Sequence, residues 1–191
     1  MHLSRIAASL LNGVRQTMID EGHWADVERV LFELDPHAPS WLKAAERGEW
    51  VLAEHHLCVI EAMRRVLGAQ ALERYGAAHL RRDMETGALA PVLRSWARSF
   101  ARDPHELLRV IPYAWQAVTR NLGRLVRVTE EPGRAVYRLE GDPGLVAGSP
   151  GWQSFLTGFA TELLHLAGRG GRAMVEVKDG VLEVDARWPE G

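Results

Sequence analysis

Cysteine is nearly absent from this chain: among its 191 residues only Cys58 carries a thiol. One thiol excludes an intramolecular disulfide framework and every multi-cysteine zinc or iron–sulfur site, so the chain has no need of an oxidising compartment. Long apolar runs are missing as well, and no stretch approaches the ~20 residues of a membrane span. The N-terminal apolar run from Ile6 to Leu11 is broken by Asn12 and Arg15 and lacks a small-residue cleavage site, which argues against a signal peptide. A cytoplasmic location is the expectation. An excess of one charge is also lacking. With 23 basic and 25 acidic residues the formal net charge is −2, so neither nucleic acid nor an anionic membrane is the expected partner. Lysine is confined to Lys43 and Lys178. Arginine binds phosphate in bidentate geometry, but genome base composition accounts for the bias without any function.

What is present is ordinary for a folded domain: 47% hydrophobic and 25% charged residues. A chain of this length buries roughly 70% of its unfolded surface as one unit. The period of the apolar residues divides it in two. Leu3, Ile6, Leu10, Val14 and Met18 recur at helical spacing, and Trp24, Val27, Leu31 and Leu34 repeat the pattern. Further helices are expected over about 40–47, 53–67 and 70–84, and around Val92, Leu93, Trp96 and Phe100. The helix opening at Asp103 is the best specified. Asp103 can cap it, Pro104 suits its first turn and Glu106 completes a capping box, while Pro112 predicts a kink before the helix runs out near Leu122.

After about residue 122 the period changes. Leu125 to Glu131 and Arg134 to Glu140 flank Pro132-Gly133 as a β-hairpin, and a two-residue loop would set Val128 against Tyr137 and Val126 against Leu139. Arg127 would then face Arg138. Ser149-Pro150 opens a helix with Trp152, Phe155, Leu156, Phe159 and Leu163 on one face. Asp179-Gly180 is the strongest hairpin signal in the chain; it pairs Val177 with Leu182 and Val175 with Val184, and sets Glu176 against Glu183. Like charges directly opposed are unfavourable. Laying the two hairpins side by side, arginines against glutamates, removes both penalties. The expected fold is therefore α+β: one domain over 1–191, with a helical N-terminal two-thirds (about 1–122) followed by a ββαββ unit (about 123–188) that forms a four-stranded antiparallel sheet.

Several segments together resemble a known group of proteins. They are Leu52 to Leu57 running on through Arg64 to Gly68, Leu72 to Gly76, Leu107 to Trp115, and Glu131 to Ala135, with the closing helix and hairpin. They resemble a paralogous family of myxobacterial proteins of about this length and unknown function. More distantly the chain is similar to 4-vinyl-reductase-type domains and haem–nitric-oxide-binding domains, which share a helical part followed by ββαββ. The resemblance implies a small-molecule-sensing or regulatory module. Two departures bear on cofactors. The cysteines that 4-vinyl-reductase relatives often carry near the last hairpin are absent between Arg172 and Trp188, and the haem sensors' Tyr-x-Ser-x-Arg signature is absent too. Neither haem nor metal is carried over, and no cofactor is expected.

The residues themselves offer no catalytic set. There is no Gly-x-Ser-x-Gly elbow and no P-loop, and the glycines at 168, 170 and 171 follow a helix where a phosphate loop would open one. His55 and His56 are adjacent on a helix, about 100° apart, and do not readily share an ion. His56 lies with Ala53, Ile60 and Met63 and reads as a hydrogen-bonded core residue; His55 reads as boundary. Cys58 has no base or convincing cationic activator and reads as an inert packed thiol. Residues 51–102 hold eight arginines against five acids, which reads as salt-bridged surface, with an acidic protein partner as the functional alternative. Ser154, Gly158 and Thr161 form a small-residue stripe that can seat a helix, inside the fold or across a homodimer. A kinked helix beside a sheet leaves room for an apolar pocket, and the residues expected to line it are His56, Trp96, Tyr113, Trp115 and Phe159. The function expected is a non-enzymatic regulatory or sensory module that binds a small apolar molecule and signals to a protein partner. The alternative is an interaction adaptor with a filled core and no ligand.

Overall fold

The structure is a computed structural model, and it describes residues 3–46, 49–86, 90–91, 94–95, 103–141, 144–168 and 170–190. The chain opens on a short strand, β1 (Arg5–Ala7), and the first helix, α1 (Ala8–Asp20), starts only after it. Its buried stripe is Leu11, Val14 and Met18, while Leu3 lies 60% exposed. The expected helical start at Leu3 is therefore corrected. Ile6 is fully buried, but as a strand residue opposite Val51 of β2 (Trp50–Leu52) and Thr119 of β3 (Thr119–Arg120). Spacing alone could not reveal this, because strands this short carry no period and their partners lie far along the chain. Next come α2 (Trp24–Leu34), α3 (Ala38–Ala45), α4 (Ala53–Leu67) and α5 (Ala69–Thr86). Gly68 ends α4 at φ 82, a conformation that costs glycine little. The helix expected around Trp96 and Phe100 falls largely outside the described residues.

The helix beginning at Asp103 is capped as expected, the Asp103 carboxylate accepting from the His105 N–H at 2.8 Å. It is not one kinked helix, however. It stops as α6 (Pro104–Leu108), and a new helix, α7 (Ile111–Val118), begins with Pro112 in its first turn. Proline has no N–H to give the preceding turn but suits a helix start, so the chain breaks before Pro112. α7 ends before Thr119 because Thr119 and Arg120 join the small sheet.

The C-terminal part has the expected shape. Strands β4 (Arg124–Glu131), β5 (Arg134–Glu140), β6 (Arg172–Lys178) and β7 (Val181–Arg187) form an antiparallel sheet in the order β4-β5-β7-β6, and α8 (Pro150–Leu166) packs against it. The second hairpin has the expected register, with Val177 opposite Leu182 and Val175 opposite Val184. In the first hairpin the register slips at Val128, an extra residue in β4. Arg127 therefore meets Tyr137, Val126 meets Arg138 and Leu125 meets Leu139. Val128, expected to face Tyr137, is 42% exposed. A bulge of this kind turns a side chain outward, and no residue pattern marks it. α8 also covers the free edge of β6: Thr157 and Thr161 accept from the N–H groups of Val175 (3.1 Å) and Ala173 (3.0 Å). An edge strand so occupied cannot recruit another chain there.

The opposed glutamate pair forms and meets an arginine of the neighbouring hairpin as expected, but the expected Arg127–Arg138 pair does not form, because the bulge moves Arg127 opposite Tyr137. Arg138 donates to Glu183 at 2.6 Å, and Lys178 bridges the opposed Glu176 and Glu183 at 2.7 and 3.5 Å. One step along, Arg134 makes a two-pronged contact with Asp185, both arms 3.0 Å. Burial would raise the Asp185 carboxyl, but Arg187 and Arg134 hold it down to about 2, against 3.8 for a free aspartate. A depressed carboxylate adds stability that is present above pH ~4 and lost as the pH falls through about 2. Asp185→Asn is expected to cost on the order of 1–2 kcal/mol at neutral pH and to flatten the stability curve below pH ~4. Urea unfolding of both proteins at about pH 6 and about pH 2.5 checks this.

Candidate functional site

α8 is the hub of the interior. Its Gly158 lies against the backbone of Glu73 on α5, and Gly76 on α5 lies against the carbonyl of Phe155. Of the small-residue stripe, Gly158 is thus taken up inside the fold by α5, while Thr161 serves β6 instead. The same closeness presents the aromatic residues of α8 to α4, α5 and α7. Trp152 donates its indole N–H to Nδ1 of His56 at 3.2 Å and meets Trp115 edge-on, with ring centroids 5.8 Å apart. Phe155 touches the rings of Tyr75 and His79.

Between these helices and the sheet lies a cavity of about 150 Å³. α5 contributes His79, Leu80 and Asp83; α6 and α7 contribute Leu107, Ile111 and Trp115; α8 contributes Phe155, Phe159 and Leu163; the sheet closes it with Leu139 and Val184. Of the expected lining residues, His56, Trp115 and Phe159 are in its wall. Tyr113 is not: two residues from Trp115 on α7, it points outward and is 70% exposed. Trp96 lies outside the described residues.

Only His56, His79 and Asp83 among the described lining residues are titratable. His56 is fully buried and its Nδ1 is held by Trp152. Burial, with His79 nearby, lowers its pKa to about 3, so the ring is neutral. His79 is 2% exposed, and neither ring nitrogen has a hydrogen-bond partner in the protein. Asp83 is near but not bonded, its Oδ2 lying 3.4 Å from His79 Nε2. Burial is the chief influence on both, lowering the His79 pKa and raising that of Asp83. Each polar atom left unpaired in such a place costs about 1–3 kcal/mol. The sequence reading gave His79 and Asp83 no role. The available signal was their i, i+4 spacing on the face that also carries Leu72 and Tyr75.

Other candidates resolve into structure. His55 stacks on Trp41 at 4.4 Å. Cys58 is half-buried, and burial pushes its thiol up. Arg64 makes a bidentate contact with Glu61, Arg81 pairs with Glu162 and Arg82 with Asp20. Among the described residues no group of three or more histidine, cysteine or acidic side chains could hold a metal ion, and no helix is long and apolar enough to cross a membrane.

No protein-family model and no curated protein matches the chain. Solved structures do. The Fe(II) unliganded H-NOX protein from K. algicida superposes with a TM-score of 0.65 at 10% identity, covering 97% of this chain and 98% of its own. A variant of that protein gives 0.63 at 11% identity over the same shares. Another structure, of an H-NOX family protein studied for haem distortion, gives 0.58 at 11% identity, over 97% of this chain and 96% of its own. The chain shares the fold of these H-NOX structures.

Proposed function

We propose that the chain is a non-enzymatic sensory or regulatory module, one domain over 1–191, which binds a small and largely apolar ligand in the α5–α7–α8 cavity and signals its occupancy to a protein partner. The observation that carries this reading is a space of about 150 Å³ with apolar walls and one polar corner, His79 and Asp83, where both ring nitrogens of His79 are left without a hydrogen-bond partner in the protein. Ligand sites are built this way. The fold of the neighbours supports it, since theirs is a sensing domain. The adaptor alternative expected a filled interior, and the cavity weighs against it. Kinship with the myxobacterial family and with 4-vinyl-reductase-type domains belongs to the same proposal and rests on the sequence motifs alone.

The fold raises the question of haem, and the described residues do not fit it. A cavity of this size takes a single benzene ring, whereas haem is a macrocycle of four pyrroles. Haem also carries two propionates, and no arginine or lysine is among the described lining residues. Of the two imidazoles in the wall, His56 is already engaged by Trp152 and only His79 has a nitrogen to offer.

Native mass spectrometry of the purified chain is the first test; a small molecule retained on the folded protein is expected. A ligand that binds only the native state raises the thermal midpoint with concentration. Ala160, 6% exposed and in the cavity wall, offers the control. Ala160→Phe is expected to leave the fold within about 1–2 kcal/mol of the parent, cavity filling offsetting some strain, and to abolish ligand retention. Undiminished retention in that variant would place the ligand elsewhere.

A further inference from the structure

We propose that the ligand is a single-ring aromatic bearing one hydroxyl group, with that oxygen received between His79 and Asp83. The inference rests on the cavity being the ligand site, and it specifies what that site reads. The cavity volume sets the size, since a comparable apolar cavity admits benzene. The walls set the shape. Trp115, Trp152, Phe155 and Phe159 surround the space, and aromatic rings favour tilted and edge-on contacts with one another.

The polar corner sets the head group. A neutral imidazole offers one N–H donor and one bare acceptor nitrogen, and those of His79 are both unclaimed. The groups packed around it do not satisfy it: the Tyr75 hydroxyl donates to the Val14 carbonyl, Arg82 is engaged by Thr17 and Asp20, Phe155 has nothing to offer, and Asp83 stands at 3.4 Å. A hydroxyl both donates and accepts. Placed in this corner its oxygen accepts a hydrogen bond from the imidazole N–H and its O–H donates one to the Asp83 carboxylate. A hydrocarbon would leave His79 unpaired. An anionic head is disfavoured, because no cation among the described residues lines the cavity and an unpaired charge is costly to bury.

Titration of the full chain with phenol and, separately, with benzene tests this, read by calorimetry and by the thermal midpoint. Phenol is expected to bind tighter by on the order of tenfold or more, as sites that hydrogen-bond a hydroxyl discriminate against the analogue lacking it. His79→Leu is expected to bring the ratio near one. Asp83→Asn, nearly isosteric, is expected to reduce it with the fold intact, and it decides the matter if His79→Leu does not fold. Equal binding of phenol and benzene overturns the inference, with water as the corner's occupant, and leaves the cavity function standing. So does a phenol preference that survives both substitutions. Failure of both probes to bind, together with ligand retention unaltered in Ala160→Phe, overturns the cavity reading itself.

Discussion

Gly158→Ala is expected to be among the most damaging single substitutions in the chain, costing at least about 3 kcal/mol. In an ordinary helix interior the same change stabilises by roughly 0.5–1 kcal/mol, because alanine loses less backbone freedom on folding. The sign reverses here because a Cβ at residue 158 would lie 1.7 Å from the carbonyl oxygen of Glu73 and 2.6 Å from its carbonyl carbon. Those are backbone atoms inside α5, so no side chain can swing aside; the two helices must part. Gly76→Ala, whose Cβ would meet the Phe155 carbonyl at 2.1 Å, is expected to behave alike. Gly151→Ala, at 3.1 Å from the Ile60 carbonyl, is expected to be milder. Urea unfolding of the three variants should rank them in that order. A stabilised Gly158→Ala protein would mean that α5 and α8 do not pack this closely. The consequence reaches the cavity, since α5 carries His79 and Asp83 while α8 carries Trp152, Phe155 and Phe159. Parting them changes the chamber's width directly.

That contact was partly legible in the sequence. Ser154, Gly158 and Thr161 read as a stripe that can seat a helix, but Gly158 meets α5 while Thr161 serves β6, and nothing in one helix names its partner. The four-stranded sheet was legible for a stronger reason. Asp179-Gly180 fixes a register, the register creates an opposed Glu176–Glu183 pair, and a neighbouring hairpin bearing arginine relieves it together with Lys178 of the same hairpin. What escaped were features whose cause lies far away in the chain or has no residue signature. The strands at Arg5, Trp50 and Thr119 exist only because three distant segments meet. The Val128 bulge shifts a hairpin whose turn was correctly placed. The site was legible in its aromatic half, where Trp115 and Phe159 stand on apolar helix faces. Its polar half was not, because a histidine and an aspartate on an arginine-rich helix look like surface until α8 covers them.

Moderate acid is expected to weaken the fold well before its carboxylates titrate. His56 takes up its proton at about pH 3 when folded and near 6.5 when unfolded. A buried histidine with a depressed pKa makes the unfolded state the better proton binder, so stability is complete above about pH 6.5 and declines as the pH falls towards 3. From this one group the loss between about pH 7 and about pH 5 comes to about 2 kcal/mol. His79, lowered by burial, acts in the same direction. Asp83, raised by burial, acts in the opposite one, so that pair partly cancels and His56 remains the clean probe. His56→Gln keeps an acceptor for the Trp152 indole and removes the titration. Its stability is expected to lie below the parent's at pH 7 and to depend less on pH, so the two curves converge towards about pH 5. Unfolding by urea across that range, followed by tryptophan fluorescence, decides it. If the variant keeps the parent's full slope, the proton is taken up elsewhere and the Trp152–His56 contact is not the closed, dry junction that gives the cavity its inner wall.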